Sequence, residues 1–289
     1  MRIAFLADIH GNLPALKAVL GDLESVQPDR VYLLGDQINR CPWSREVLDL
    51  CQEKGWPAIQ GNHEEVVARF NHYGPDEMRR YGQRYPASAW TWRHLRPEQR
   101  RLIEELPKEM SLSLEGLPAM RLVHGVPGSA SVGIYPESTD QEIAPFLDGV
   151  SEPILVCGHT HRPLIRMCCS RHIWNGGSVG MPYNGDPRAQ YLLVESTPEG
   201  QEWRPILRRV DYDRSGIARA FKESGMLDEV GKVAELFLRT VLTGEPWASD
   251  FAHWMKYHSN HHWESYDEAV QYYLRDHGPG QWAFLEEIK

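Results

Sequence analysis

The chain contains no apolar run approaching the roughly 18 residues that a membrane-spanning helix needs, which excludes that class. A signal-peptide pattern is also missing. Met1 to Ala7 holds one Arg and then a short strand-like run leading directly into Asp8, so a cytoplasmic protein is expected. Cysteine is sparse: Cys41, Cys51, Cys157, Cys168 and Cys169 are odd in number and form no C-x-x-C pair. That argues against a disulfide framework and a zinc ribbon and leaves buried or idle thiols. Excess basic charge is absent too. With 31 Lys and Arg against 40 Asp and Glu the net charge is −9, so the surface as a whole repels duplex nucleic acid. No internal repeat or low-complexity segment is visible. What is present is a globular composition, 42% hydrophobic and 25% charged over 289 residues, enough for one large domain or two small ones.

Along the chain, Arg2 to Ala7 reads as a strand that ends in Asp8-Ile9-His10-Gly11-Asn12, followed by Leu13, Leu16, Val19, Leu20 and Leu23 at helical spacing. Val31 to Leu34 repeats the arrangement before Gly35-Asp36, and Trp56 to Gln60 does so before Gly61-Asn62-His63-Glu64. Strands alternating with helices imply βαβ units and a largely parallel inner sheet, with ligands at the carboxyl ends of the strands. From about Val66 to Leu106 the pattern is helical, aromatic and basic, restarting at Arg96-Pro97-Glu98, and reads as an inserted cap. Strands resume at Met110–Leu114, Ala119–His124, Pro153–Cys157, Leu164–Met167, His172–Trp174 and Tyr191–Glu195. From Asp211 the pattern is helical again and continues into a Trp- and His-rich tail, read as an appendage. The expected division is therefore a domain over residues 1–210, with the cap at about 66–108, and a helical extension over 211–289.

Several strand ends share one property: a hard or borderline metal ligand follows immediately. Asp8-x-His10, Gly35-Asp36, Gly61-Asn62-His63-Glu64, His124 and Gly158-His159-Thr160-His161 supply carboxylate, amide oxygen and imidazole, which suit zinc, manganese, iron, nickel or cobalt. If extended backbone persists, Asp8 and His10 point to one side, as do His159 and His161, so that each pair grips one cluster. Any one element alone is weak. Five together, each after a strand and beside small Gly residues, are hard to explain independently.

The order D-x-H, G-D, G-N-H-E, V-H-G, G-H-T-H resembles the signature of the calcineurin-like metallophosphoesterase superfamily, over roughly Met1 to Glu195. Asn175-Gly176-Gly177-Ser178-Val179-Gly180 and the loop from Gly185 resemble the closing segment of its small bacterial phosphodiesterase-type members. The Gly-rich turn suits close backbone packing under the site. The resemblance implies an α/β (α+β) fold, a four-layer αββα sandwich of two mixed sheets with a helical cap and a C-terminal helical extension. It also implies two divalent metal ions, one held by Asp8, His10 and His161, the other by Asn62, His124 and His159, with Asp36 between them and His63 as the catalytic histidine. Such a centre attracts a phosphate ester to an otherwise acidic protein and suits phosphoryl hydrolysis. One departure is Asn39, where the wider superfamily has a second Asp that supports the histidine.

The expected activity is hydrolysis of phosphodiester or phosphomonoester bonds, with nucleotide or dinucleoside polyphosphate substrates favoured and a protein phosphatase as the alternative. A non-catalytic scaffold is the alternative from another class, set aside because no ligand is lost. Arg40, Arg162, Arg166 and Arg188 flank the motifs and are candidate substrate contacts, with solvated surface arginine as the default for each. Tyr73, Tyr81, Tyr85, Trp90 and Trp92 of the cap could stack a nucleobase or simply pack. The tail histidines His253, His258, His261 and His262 invite a second metal site but have no carboxylate or Cys at convincing spacing.

Overall fold

The structure is a computed structural model, and it describes residues 1–197, 202–258, 261, 263 and 265–277. Among the described residues nine strands form two mixed sheets. The first joins β1 (Arg2–Leu6), β2 (Arg30–Leu33), β8 (Ala189–Ser196) and β9 (Trp203–Val210) in the order β2-β1-β8-β9. The second joins β3 (Glu109–Leu114), β4 (Leu117–Val123), β5 (Ile154–Cys157), β6 (Leu164–Cys168) and β7 (Arg171–Asn175) in the order β3-β4-β5-β7-β6. The sheets are not largely parallel: β1 pairs parallel with β2 but antiparallel with β8, and β4-β5-β7 are parallel between antiparallel β3 and β6.

The two-residue period of the strands builds the layers. Ile3 and Phe5, with Ile154 and Val156 and with Leu192 and Val194, point between the sheets and form one core. The alternate residues Ala4, Leu6 and Leu193 face helices, as do Leu155, Cys157 and Ile173 on the far side. Helices α1 (Leu13–Val26) and α2 (Ser44–Glu53) cover the first sheet. The insertion holds α3 (Asn62–Ala68), α4 (Pro75–Arg84), α5 (Pro86–His94) and α6 (Pro97–Glu105), and α7 (Asp140–Ile143) packs on the second sheet. Then follow α8 (Ile217–Glu223), α9 (Met226–Val230), α10 (Lys232–Thr243), α11 (Trp247–Tyr257) and α12 (Tyr266–His277).

Three expectations change. Trp56 to Gln60 contributes only an isolated parallel bridge, Leu33 to Ala58, because Pro57 offers no N–H to a ladder. Strand β9 was not anticipated: Pro205, Arg204, Arg208 and Arg209 disguise it, and all are tolerated because it is an edge strand. The helices after Asp211 do not stand apart, since Ile217, Phe221, Met226, Phe237 and Leu238 share a core with β1, α1 and Trp90 of the cap. Arg93 of α5 also pairs with Glu229 of α9 at 2.8 Å. Among the described residues no helix is long and apolar enough to cross a membrane. The cysteines are all free thiols, and only Cys169 is exposed.

Candidate metal centre

The loops leaving β1 and β2 of one sheet and β4 and β5 of the other meet at one end of the sandwich. Asp8, His10, Asp36 and His161 gather there, fully or almost fully buried, with ligand atoms within 4.8 Å of one another. His161 Nε2 lies 3.3 Å from Asp8 Oδ1 and 3.0 Å from His10 Nε2. A second group adjoins it. Asn62 Oδ1 is 3.1 Å from His124 Nε2 and 2.9 Å from His159 Nδ1. Asp36 stands between the groups, its Oδ2 at 3.7 Å from His10 Nε2 and 3.3 Å from His124 Nε2.

The side chains reach this arrangement by strained backbone, not by strand alternation. Asp8, His10, Asp36, Asn39, Arg40, His159 and His161 all have φ between +50° and +74°, left-handed values that each cost about 1–3 kcal/mol for a residue other than glycine. Asp8 and His10 therefore sit together through a left-handed turn beyond the end of β1. The H-x-H pair divides, with His161 in the first group and His159 in the second, so it does not grip a single cluster. Close backbone packing offsets the strain. Val179 N and Gly180 N donate to the carbonyls of Ala7 and Asp8 at 3.0 Å each, and Ser178 Oγ donates to Asp8 O at 2.7 Å. A Cβ on Gly180 would lie 1.9 Å from Ile9 O. Gly180→Ala must push the Asp8–His10 loop away and is expected to destabilise the fold by about 2 kcal/mol, as overpacking does, read by chemical denaturation. An unchanged midpoint would show that the loop yields freely.

Glu64, left without a role by sequence reasoning although it closes the G-N-H-E motif, is fully buried and braces the site. Its carboxylate accepts from Asp36 N at 2.8 Å, Gln37 N at 2.7 Å and Gly61 N at 2.9 Å, tying the β2 loop to the first turn of α3. Burial, with the nearby Asp36 charge, raises its pKa to about 7.

The donor set fits cations. His10, His124 and His161 each donate Nδ1–H to a main-chain carbonyl: Ile38 at 3.3 Å, Leu34 at 2.7 Å and Met181 at 2.5 Å. This fixes the tautomer that leaves the Nε2 lone pair facing the cluster. Two such lone pairs 3.0 Å apart, on His10 and His161, repel unless a proton or metal lies with them. Asp8 Oδ1 is buried with no hydrogen-bond partner. Burial, then the Arg40 charge, lowers the pKa of His10, which keeps it neutral and able to ligate. At His124 burial works the same way, but the carboxylates of Asp36 and Asp8 outweigh it and raise its pKa to about 10, so that a metal ion bound there would take the place of a proton on Nε2.

His63 borders the cluster, its Nε2 4.0 Å from Asp36 Oδ2, and burial pushes its pKa down to about 3. Asn39 settles its tautomer. Asn39 Oδ1 accepts from Arg40 N at 2.8 Å and Thr91 Oγ1 at 3.2 Å, so the amide cannot be reversed and Nδ2 faces His63 Nδ1 at 2.8 Å. An NH₂ group only donates; His63 Nδ1 accepts, and the imidazole proton sits on Nε2, toward the site.

A cavity of about 150 Å³ opens over the cluster, lined by Asp36, Asn62, His63, His159 and His161 together with Arg40, Tyr135, Tyr183 and one face of α11. Of the candidate arginines only Arg40 is among its lining. Arg162 is paired with Glu137, Arg166 with Asp140 and Arg188 with Asp186. None of the five cap aromatics lines the cavity: Trp90 is buried against His94, Trp92 lies under Arg100, and Tyr73, Tyr81 and Tyr85 stack in series. The tail histidines do not converge. His253 and His258 face main-chain carbonyls, His261 packs on Trp263, and His262 is outside the described residues.

Comparison with known proteins agrees with this architecture. A metallophosphoesterase from Sphaerobacter thermophilus superposes with a TM-score of 0.66 at 27% identity, covering 84% of this chain and all of its own. A hypothetical protein from Pyrococcus horikoshii shares the fold with a TM-score of 0.72 at 23% identity, covering 84% and 98%. The phosphodiesterase YfcE of Escherichia coli is 26% identical over 196 residues, 67% of this chain and 87% of the relative. Residues 1–198 match the family model of the calcineurin-like phosphoesterase superfamily domain. The chain belongs to that superfamily and is a metallophosphoesterase, a hydrolase of phosphoester bonds.

Proposed function

We propose that the protein hydrolyses small phosphate esters at a dinuclear metal centre, with Asp8, His10 and His161 holding one ion, Asn62, His124 and His159 the other, and Asp36 shared. The observation that carries this reading is the orphaned Asp8 Oδ1 beside two imidazole lone pairs that face each other. When bound, divalent ions would supply charge stabilisation on the phosphoryl oxygens and activation of the attacking water. The protein's own groups do the rest. His63 presents Nε2–H to a phosphoryl or leaving-group oxygen as a neutral hydrogen-bond donor, held there by Asn39. Arg40, steadied by Tyr183 and Met181, presents a planar cation to the remaining oxygens. Because the cap aromatics lie away from the cavity, the preference for nucleobase-bearing substrates gains no support from the cap, whereas a diesterase or monoesterase of small esters does gain support from the cavity size.

Purified protein with added manganese is expected to cleave bis-p-nitrophenyl phosphate or p-nitrophenyl phosphate and to contain about two transition-metal ions per chain. A folded protein that cleaves neither ester with any of manganese, zinc, iron, nickel or cobalt would sink the reading.

Asn39 gives a sharper test. In Asn39→Asp the carboxylate accepts from His63 Nδ1, favours imidazolium and raises the His63 pKa from about 3 by roughly 1–3. Wild-type kcat is expected to show no His63 limb above about pH 5, whereas the variant gains one that falls with rising pH between roughly 4 and 6. Superimposable profiles would mean that Asn39 does not set the protonation of His63.

A further inference from the structure

Helix α11 is amphipathic in a specific sense. Phe251, Trp254 and Met255 pack against Leu236 of α10 and Val270 and Tyr273 of α12, in a cluster of their own. Phe251 and Trp254 both make ring contacts with Tyr273, which pins the helix by one side. The opposite stripe, Ser249, Ala252, His253 and Lys256, has the i, i+3, i+4, i+7 spacing of a single helical face and lines the cavity above the metal cluster. Residues from the far end of the chain thus complete a site whose other walls come from the strand loops.

The charge on this roof is unusual for an acidic protein. Lys256 is exposed and, among the described residues, forms no ion pair, although most arginines near the motifs are matched with a carboxylate. Arg40, on the wall of the same cavity, is likewise without a carboxylate partner among the described residues, and its Nε is buried with no hydrogen-bond partner. Asp36, committed to the cluster, is the one carboxylate in the lining. Two cations therefore border a small cavity whose lining carries no carboxylate besides Asp36.

We infer that α11 is the roof of the substrate cavity and that Lys256, beyond the phosphoryl oxygens that Arg40 meets, forms a second anion subsite, so that preferred substrates carry a second phosphate beside the scissile phosphoester. The inference rests on the phosphoesterase reading and narrows it. His253 flanks the subsite; its Nδ1–H is taken up by Ser249 O at 3.0 Å, which leaves Lys256 as the principal donor.

The test uses the full chain and matched substrates: AMP against adenosine 3′,5′-bisphosphate, both of which carry only phosphomonoesters. The ratio of kcat/KM for the doubly phosphorylated substrate to that for AMP is expected to fall about tenfold in Lys256→Ala, the loss of one charge-assisted hydrogen bond, and further in Lys256→Glu. Lys256→Arg, which keeps the charge, is expected to restore the ratio. In parallel, calorimetric binding of inorganic pyrophosphate relative to orthophosphate is expected to weaken about tenfold in Lys256→Ala. Hydrolysis with a ratio unchanged in both Lys256→Ala and Lys256→Glu overturns the roof subsite and leaves the phosphoesterase reading standing. A wild type that hydrolyses none of these substrates nor either p-nitrophenyl ester overturns both.

Discussion

Asp36→Asn is expected to remove metal-dependent hydrolysis, lowering kcat/KM by about 10³-fold while leaving the fold intact. Asp36 stands between the two donor groups, with Oδ2 within 3.7 Å of both His10 Nε2 and His124 Nε2. Its other oxygen, Oδ1, accepts from His63 N at 2.8 Å and orients the first turn of α3. Asparagine keeps an acceptor of the same shape for that bond and removes the charge that would balance the ions. Loss of a preorganised electrostatic group costs about 10²–10³ in rate, and weakened metal binding adds to it. The check is metal content with kinetics on one sample, together with thermal unfolding. Excess manganese stabilises a protein that binds it by about 2.7 kcal/mol at 100 times Kd. That rise in midpoint is expected for the wild type and should vanish in Asp36→Asn. A variant that retains its metal and its rate would remove Asp36 from the centre.

His63→Ala is expected to give the second largest effect, a fall in kcat of about 10²-fold with metal content unchanged, the size typical of losing a positioned proton donor. His63 lies outside the donor groups and its ring meets His10 edge-on at 4.8 Å, so truncation opens space without withdrawing a ligand. The depressed pKa sharpens this expectation. At neutral pH the imidazole is uncharged, and what disappears is the Nε2–H hydrogen bond. His63→Gln, which can also donate an N–H, is then expected to recover part of the loss. Loss of metal in His63→Ala would instead make the residue a ligand, and no change in kcat would leave it structural.

Much of the site was legible in the sequence because each donor follows a strand, and a strand end is marked by where an apolar run stops. Asp8, Asp36, His124, His159 and His161 are placed that way, and the shared motif order assigned Asn62 and His63 to the same set. The layers were legible for a related reason, since alternate residues of β1, β5 and β8 are apolar on both faces and therefore demand cover on both sides. Strand β9 was hidden because an edge strand tolerates the Pro and Arg residues that mark loops elsewhere.

What only the tertiary structure decided is orientation. Sequence supplies residue types and spacing, but the left-handed backbone at Asp8 and His10 is held by Ser178, Val179 and Gly180, which are distant in sequence and meet Ala7 and Asp8 only when β8 joins β1. The same holds for the proton on His63, fixed through Asn39 by Arg40 N and Thr91. Most of all it holds for α11. The sequence was read there only as a Trp- and His-rich helical tail, whereas the packing of one face of α11 on α10 and α12 determined that the other face would close the cavity over Asp36 and His63. Local pattern fixes which side of a helix is buried; the partner it is buried against fixes what the exposed side sees.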